Sequence, residues 1–256
     1  MTAQALGKEQ LYLEQSVAVR ALWASRDVLV HLPTAFGKTL IGFAFLLMLD
    51  ILLNGVEQRL PIAQCFMPVA IYISPLVALM DQQAEDFNLH RGGLYPGVSC
   101  SNESLSAASL QRVRDGLVSV LFMSPEHALG MFLWIFSSAV YAGRIVLLFI
   151  DEAHCVSEWS HDFRPDYAEL KRLRSLLSYD VMCLAASATL TFLVKREIGD
   201  LLGLQEPEKV ERPNYRPEIY LENIQYVKDE WRWIFGDLIQ ELKEIASNGL
   251  TQRPYP

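Results

Sequence analysis

Residues 145–154 read IVLLFIDEAH, six apolar residues followed at once by two carboxylates. A run this apolar and this rich in Ile, Val and Phe suits a strand buried on both faces, as in a parallel sheet covered by helices. Four more runs of the same kind surround it: Val28–Leu32, Ala70–Ser74, Val118–Met123 and Val181–Ala185. Segments of helical length lie between them, at Glu9–Ser25, Lys38–Asn54, Leu76–Phe87, Ser106–Gly116, Pro165–Ser178 and Phe192–Leu202. This alternation predicts a doubly wound α/β domain, a mostly parallel sheet flanked by helices. Functional groups then collect at the carboxyl ends of the strands. The sequence places a polar or glycine-bearing cluster after every run: PTAFGKT, SPLVALM, SPE, DEAH and SAT in chain order.

The composition agrees with a folded chain. Of 256 residues, 51% are apolar and 20% charged, which excludes a disordered class. The net charge of −8 counts against a nucleic-acid partner, since phosphate neutralisation calls for a basic surface, but it does not report local patches. Cys65, Cys100, Cys155 and Cys183 contain no CxxC pair, so a zinc half-site is not expected; they read as reduced thiols of a cytosolic or nuclear protein. MTAQALGKEQ has no apolar run of signal-peptide type. Leu129–Ile150 has the length of a membrane span and one charge, Arg144, but Ser137, Ser138 and Gly143 interrupt it. It reads as a buried helix, a turn and a central strand, with no membrane partner. Gly203–Tyr220 reads as an exit from the domain, Asp229–Ala246 as a further helix, and no internal repeat is present.

Two clusters carry candidate chemistry. In Leu32-Pro-Thr-Ala-Phe-Gly-Lys-Thr39, Gly37, Lys38 and Thr39 occupy the last three positions of a phosphate loop. Such a loop needs inward backbone N–H groups at a helix N-terminus, a lysine for the β- and γ-phosphates, and a hydroxyl for Mg²⁺. Leu32 replaces its first glycine, so the strict pattern fails; alone, the cluster also suits an ordinary strand–turn–helix corner. In Asp151-Glu152-Ala153-His154, Asp151 suits a metal ligand and Glu152 a base that orients water. Alone, that pair also suits a solvated acidic turn. Together, on two strands of one sheet, the clusters point to a nucleotide site.

From Asp151 to Tyr167 the sequence runs DEAHCVSEWSHDFRPDY, which resembles motif II and the aromatic-rich loop of the RecQ family of 3′-to-5′ DNA helicases. Further elements resemble that family in order: Gln15 ahead of the Arg26-Asp27 pair, SPLVALMDQQ, FMSPEHAL, SATLT and Arg212-Pro-Asn214. The resemblance covers roughly Leu11 to Tyr220. It implies a RecA-like P-loop domain over residues 1–205, with residues 206–256 as a linker and the start of a second lobe. It implies ATP and Mg²⁺ as cofactors. Gln15, Thr34, Ala35, Phe36, Gly37, Lys38 and Thr39 would bind nucleotide, with Gln15 reading adenine; Thr39 and Asp151 would hold the metal; Lys38, Asp151 and Glu152 would be catalytic. Ser74, Pro75, Trp159, His161, Phe163, Arg164, Ser187 and Thr189 would bind DNA or couple it to the nucleotide. The partner would be single-stranded DNA or a duplex/single-strand junction. Read from the residues alone, Trp159, Phe163 and Tyr167 either stack on bases or pack under a long loop.

Two departures qualify the resemblance. Ala35-Phe36 replaces the family's glycine pair, and a Cβ resists the positive φ such loops use. The second lobe, with an arginine finger worth ~10³–10⁵ in rate in related phosphoryl transfer, is not contained in these 256 residues. The expectation is one lobe of a helicase, a fragment of a longer product, binding ATP–Mg²⁺ weakly and hydrolysing it slowly or not at all. The alternatives are a truncated nucleotide- or DNA-binding module without unwinding activity and, less in keeping with the aromatic run, an RNA-directed ATPase of DEAH type.

Overall fold

The computed structural model describes residues 10–54, 67–101, 105–156, 165–178 and 180–213, with 7, 236, 240 and 243 as isolated positions. Two compact units divide the chain, Met1–Asn214 and Tyr215–Pro256. In the second, Gly236, Gln240 and Lys243 are helical, and the rest of the helix expected over Asp229–Ala246 lies outside the described residues.

The first unit is built on seven strands: β1 Val28–His31, β2 Val69–Ile73, β3 Gly97–Ser99, β4 Val120–Met123, β5 Ile145–Asp151, β6 Met182–Ser187 and β7 Glu208–Glu211. They lie in the order β3-β4-β2-β5-β6-β1-β7, and every pairing is parallel. The five apolar runs are the five inner strands. The two edge strands were not expected. β7 also moves the boundary foreseen near residue 205, since Glu208–Glu211 pairs with β1 and carries the compact unit to Asn214.

Successive residues on a strand face opposite sides of the sheet, so two cores form. Leu29, Ile71, Leu121, Leu148 and Cys183 belong to one; Val30, Tyr72, Phe122, Phe149 and Leu184 belong to the other. The second core is covered by α1 (Leu13–Trp23), α2 (Lys38–Asn54) and α3 (Val77–His90). On the first lie α4 (Ala107–Arg114), α5 (Pro125–Leu129), α6 (Pro165–Ala168), α7 (Leu170–Leu176) and α8 (Phe192–Leu202). α2 is apolar almost all round because it is buried almost all round, with Ile41, Ala44, Phe45 and Leu46 at most 1% exposed.

The stretch read as a buried helix before β5 is a 3₁₀ turn, Leu133–Ser137, and the single helix expected over Pro165–Ser178 is broken into α6 and α7. No helix among the described residues is long and apolar enough to cross a membrane.

Candidate functional site

The parallel sheet brings the carboxyl ends of β1, β5 and β6 to one edge. Ser187 of β6 is in register with His31 of β1, and Ala186 with Asp151 of β5, so the three ends are level. One strand separates β1 from β5. At about 4.8 Å per strand, the turn after β1 and the acidic turn after β5 stand roughly 10 Å apart across that edge.

The turn between β1 and α2 coils tightly, because Ala35 and Gly37 both have positive φ, 61° and 76°. Glycine suits this backbone; a Cβ on Gly37 would also stand 2.9 Å from the Gln15 side-chain nitrogen. Ala35 adopts it at a steric cost of roughly 1–2 kcal/mol. Thr34 and Ala35 are exposed, and the chain enters α2 at Lys38, whose ammonium donates to the carbonyls of Leu32 and Pro33 at 3.5 and 3.4 Å. Gln15 is 2% exposed and ties the turn down from below. Its Nε2 donates to the carbonyls of Phe36 at 3.0 Å and Gly37 at 3.2 Å, and its Oε1 accepts from Tyr12 N at 3.0 Å. The Phe36 ring lies 4.8 Å from that of Tyr12, and the Arg212 guanidinium 5.1 Å from its centroid.

Across the edge, Asp151 closes β5 and Glu152 follows with φ of 47°. That kink sends the two carboxylates in different directions, and Glu152 N donates to Asp151 Oδ1 at 3.0 Å. Burial, and next the Glu152 charge, raise the pKa of Asp151, while Lys38 opposes the rise. Lys38 also helps to lower the pKa of Glu152. The charge of the lysine is thus felt at both carboxylates. Two side chains not singled out in the sequence complete this part of the site. Gln83 Nε2 donates to Thr39 Oγ1 at 3.3 Å, and buried Tyr72 donates its hydroxyl to the Thr39 carbonyl at 3.1 Å. For Gln83 a signal was available: it shares a helical stripe with buried Met80, Ala84 and Phe87, where an amide is out of place unless it has partners.

A third cluster joins β5 to β6. Ser187 is fully buried; its hydroxyl donates to Glu152 Oε2 at 3.5 Å and accepts from Thr189 N at 3.2 Å. His154 Nδ1 lies 2.9 Å from Ser187 Oγ and 3.3 Å from Glu152 Oε2. Ser187 therefore touches the acidic turn directly, whereas Thr189 is exposed one step away. Ser74 and Pro75 are buried at the end of β2, with Ser74 Oγ accepting from Leu76 N at 3.5 Å, so neither side chain offers a surface to a nucleic acid. The exposed positions of that segment are Leu76, Val77, Ala78 and Leu79. Tyr167 is buried, and its hydroxyl donates to the Asp151 carbonyl at 3.3 Å; of the two readings of the aromatic run, packing is the one this residue follows. Trp159, His161, Phe163 and Arg164 lie outside the described residues.

The ion pair in this cluster has a pH signature. Cys155 first, and then Glu152, raise the pKa of His154, pushing it up to about 10, while His154 is the main cause that lowers Glu152. A raised histidine contributes stability in full below its unfolded pKa and loses it as pH rises through the folded value. Glu152 contributes above its unfolded pKa and loses its share as pH falls through its lowered folded value. The melting-temperature gap between the native chain and His154→Ala is therefore expected to be widest near pH 6 and to close toward pH 10 and in acid. A gap independent of pH would show that charge does not hold this contact.

Residues 12–196 match the DEAD/DEAH box helicase family. The chain belongs to that family. Among curated DEAD/DEAH-type relatives, it is 30% identical over 249 residues to "ATP-dependent DNA helicase Q5" of Mus musculus, spanning 93% of this chain and 23% of the relative. It is 29% identical over 210 residues to "ATP-dependent DNA helicase RecQ" of Haemophilus influenzae, spanning 79% of this chain and 30% of the relative. The chain thus spans less than a third of either relative's length, and both bear out the resemblance to RecQ helicases. Among solved structures, "DEAD-box helicase Mss116 bound to ssRNA and UDP-BeF" shares the fold, with a TM-score of 0.63 at 17% identity over 93% of this chain and 48% of the other. The helicase-domain fold accounts for the level strand ends at which these clusters meet.

Proposed function

We propose that this chain is the ATP-binding lobe of a 3′-to-5′ DNA helicase, which couples ATP hydrolysis to movement along single-stranded DNA and to duplex unwinding. The observation that carries the reading is the opposition of Lys38 and Thr39 to Asp151 and Glu152 across one strand's width, with Gln83 touching Thr39. The proposal concerns the nucleotide-binding portion of what, in the relatives, is a protein several times longer.

In this reading the backbone of Thr34–Gly37 and the first turn of α2 cradle the phosphates. Lys38, released from the Leu32 and Pro33 carbonyls, pairs with their charge. Gln15 Oε1 keeps a second lone pair, which would accept from the amino group of adenine once this buried side chain is uncovered. Glu152, ionised and steadied by His154 and Ser187, orients the attacking water. Thr39 and Asp151 fit a Mg²⁺ site: burial and Glu152 make charge on Asp151 unfavourable, and a divalent cation offsets both. Among the described residues no group of three or more His, Cys, Asp or Glu could hold a metal ion, so this pair would share the cation with phosphate oxygens and water. Bound there, Mg²⁺ supplies charge neutralisation at the β- and γ-phosphates. Ser187 links the acidic turn to exposed Thr189, and the segment holding Trp159, His161, Phe163 and Arg164 is the proposed contact with single strands or duplex/single-strand junctions.

ATP titration with Mg²⁺ tests the reading. Lys38→Ala is expected to weaken binding at least tenfold, the loss of a charged hydrogen bond being worth about 1.5–3 kcal/mol. Equal affinity in the two proteins would overturn the site. A second reading, a nucleotide- or DNA-holding module without unwinding, is favoured by the strained Ala35 and by Phe36, which stands in the turn and packs on Tyr12. Hydrolysis stimulated by single-stranded DNA separates the two, and the same assay with RNA tests the nucleic-acid preference.

A further inference from the structure

From α3, Gln83 reaches the phosphate-loop side of the edge and stands near the acidic side. Its Nε2 donates to Thr39 Oγ1 at 3.3 Å, and it favours charge on the nearby Asp151 carboxylate, as a hydrogen-bond donor does. A carboxylate only accepts, so the amide nitrogen must face this pair and the oxygen must face away. That oxygen, Oε1, is buried and has no hydrogen-bond partner. A buried amide oxygen without a donor costs about 1–3 kcal/mol. Packing does not explain retaining one here, because α3 already contacts the core through Met80, Ala84 and Phe87.

The arrangement makes sense if a donor arrives with the ligand. Mg²⁺ dehydrates reluctantly and keeps several of its waters when bound by one or two protein groups. Such waters are strong donors, and they would complete the same shell as the Thr39 hydroxyl and Asp151 carboxylate, beside which Gln83 stands. We propose that Gln83 is a positioning residue for the cation: its amide N–H groups fix Thr39 and Asp151, and its Oε1 accepts from a metal-bound water. This rests on the nucleotide site proposed above and adds to it a residue beyond the phosphate loop and the acidic turn.

The test compares ATP binding by the full chain in excess Mg²⁺ and in EDTA, for the native protein, Gln83→Met and Gln83→Ala. Methionine keeps the length and helix preference of glutamine, so folding is preserved; alanine gives a second comparison, and melting curves report on both. Loss of an outer-sphere partner typically weakens metal affinity 10–100-fold. The expected result is a loss of about tenfold or more in Mg²⁺ with less than about threefold in EDTA. An equal loss in both buffers would reduce Gln83 to a packing role and overturn the proposal, as would no loss in Mg²⁺. If the native chain itself binds ATP equally well with and without the cation, the metal site fails and this inference with it. That outcome is distinct, because it appears before any substitution is made.

Discussion

Asp27→Ala is expected to destabilise the first unit by about 3–5 kcal/mol, the usual loss when one partner of a buried, hydrogen-bonded charge pair is removed. Asp27 is 7% exposed and stands immediately before β1. Its Oδ1 accepts from Cys183 N of β6 at 2.7 Å and from Arg174 of α7 at 3.5 Å, and its Oδ2 accepts from Gln205 N, ahead of β7, at 3.3 Å. One side chain thereby fastens the start of β1 to β6, to α7 and to the segment that leads into β7. Alanine leaves two backbone N–H groups without acceptors and the largely buried Arg174 without its counter-charge. Urea unfolding measures the loss, and Asp27→Asn should recover part of it by keeping an acceptor. A change below about 1 kcal/mol for alanine would mean that water replaces the carboxylate and that the clamp is not structural.

The second large effect is expected at Gly42, on the buried face of α2. A Cβ there would stand 1.9 Å from the Tyr72 hydroxyl oxygen and 2.8 Å from its Cζ. Tyr72 cannot swing aside, since its ring is stacked at 4.4 Å on Phe149 and packed against Phe43 and Phe122. Alanine gains up to about 1 kcal/mol in helix preference, but overpacking costs about 1–3 kcal/mol and the lost hydrogen bond to the Thr39 carbonyl about 1 kcal/mol more. The net expectation for Gly42→Ala is a loss of about 2 kcal/mol, together with weaker ATP binding, because the displaced Tyr72 supports the residue after Lys38. Gly42→Ala in combination with Tyr72→Phe, which removes the colliding oxygen, should regain stability. Full stability in the single variant would show that α2 shifts freely over the sheet.

How much could be read in advance follows from what each residue faces. The inner strands were legible because both faces are buried: Leu147–Ile150 and Leu184–Ala186 leave no polar position to obscure the run. β7 was not, because Glu208, Lys209 and Glu211 of an edge strand face water and only Val210 is buried. β3 has three residues and no period to detect. The breaks in the helical segments, a 3₁₀ turn at Leu133–Ser137 and the division between Ala168 and Leu170, depend on tertiary packing that local pattern does not express. In the site, Lys38, Thr39, Asp151 and Glu152 could be placed because strand ends fix where such groups gather. Tyr72 meets Thr39 from 33 positions away and no local pattern records it, whereas Gln83, 44 positions away, left its trace only as an amide on the apolar stripe of α3.

β7 also gives the sheet a mechanical property. Arg212 N donates to the His31 carbonyl at 3.0 Å, directly below the turn that leads to Lys38, and the Arg212 guanidinium rests on Phe36 while reaching Glu14 at 3.5 Å. Tension on the polypeptide beyond Pro213 would load these few contacts first, before any of the buried layers. The residue that follows the edge strand is thus buttoned to the turn ahead of Lys38, so a pull on Arg212 would be felt there.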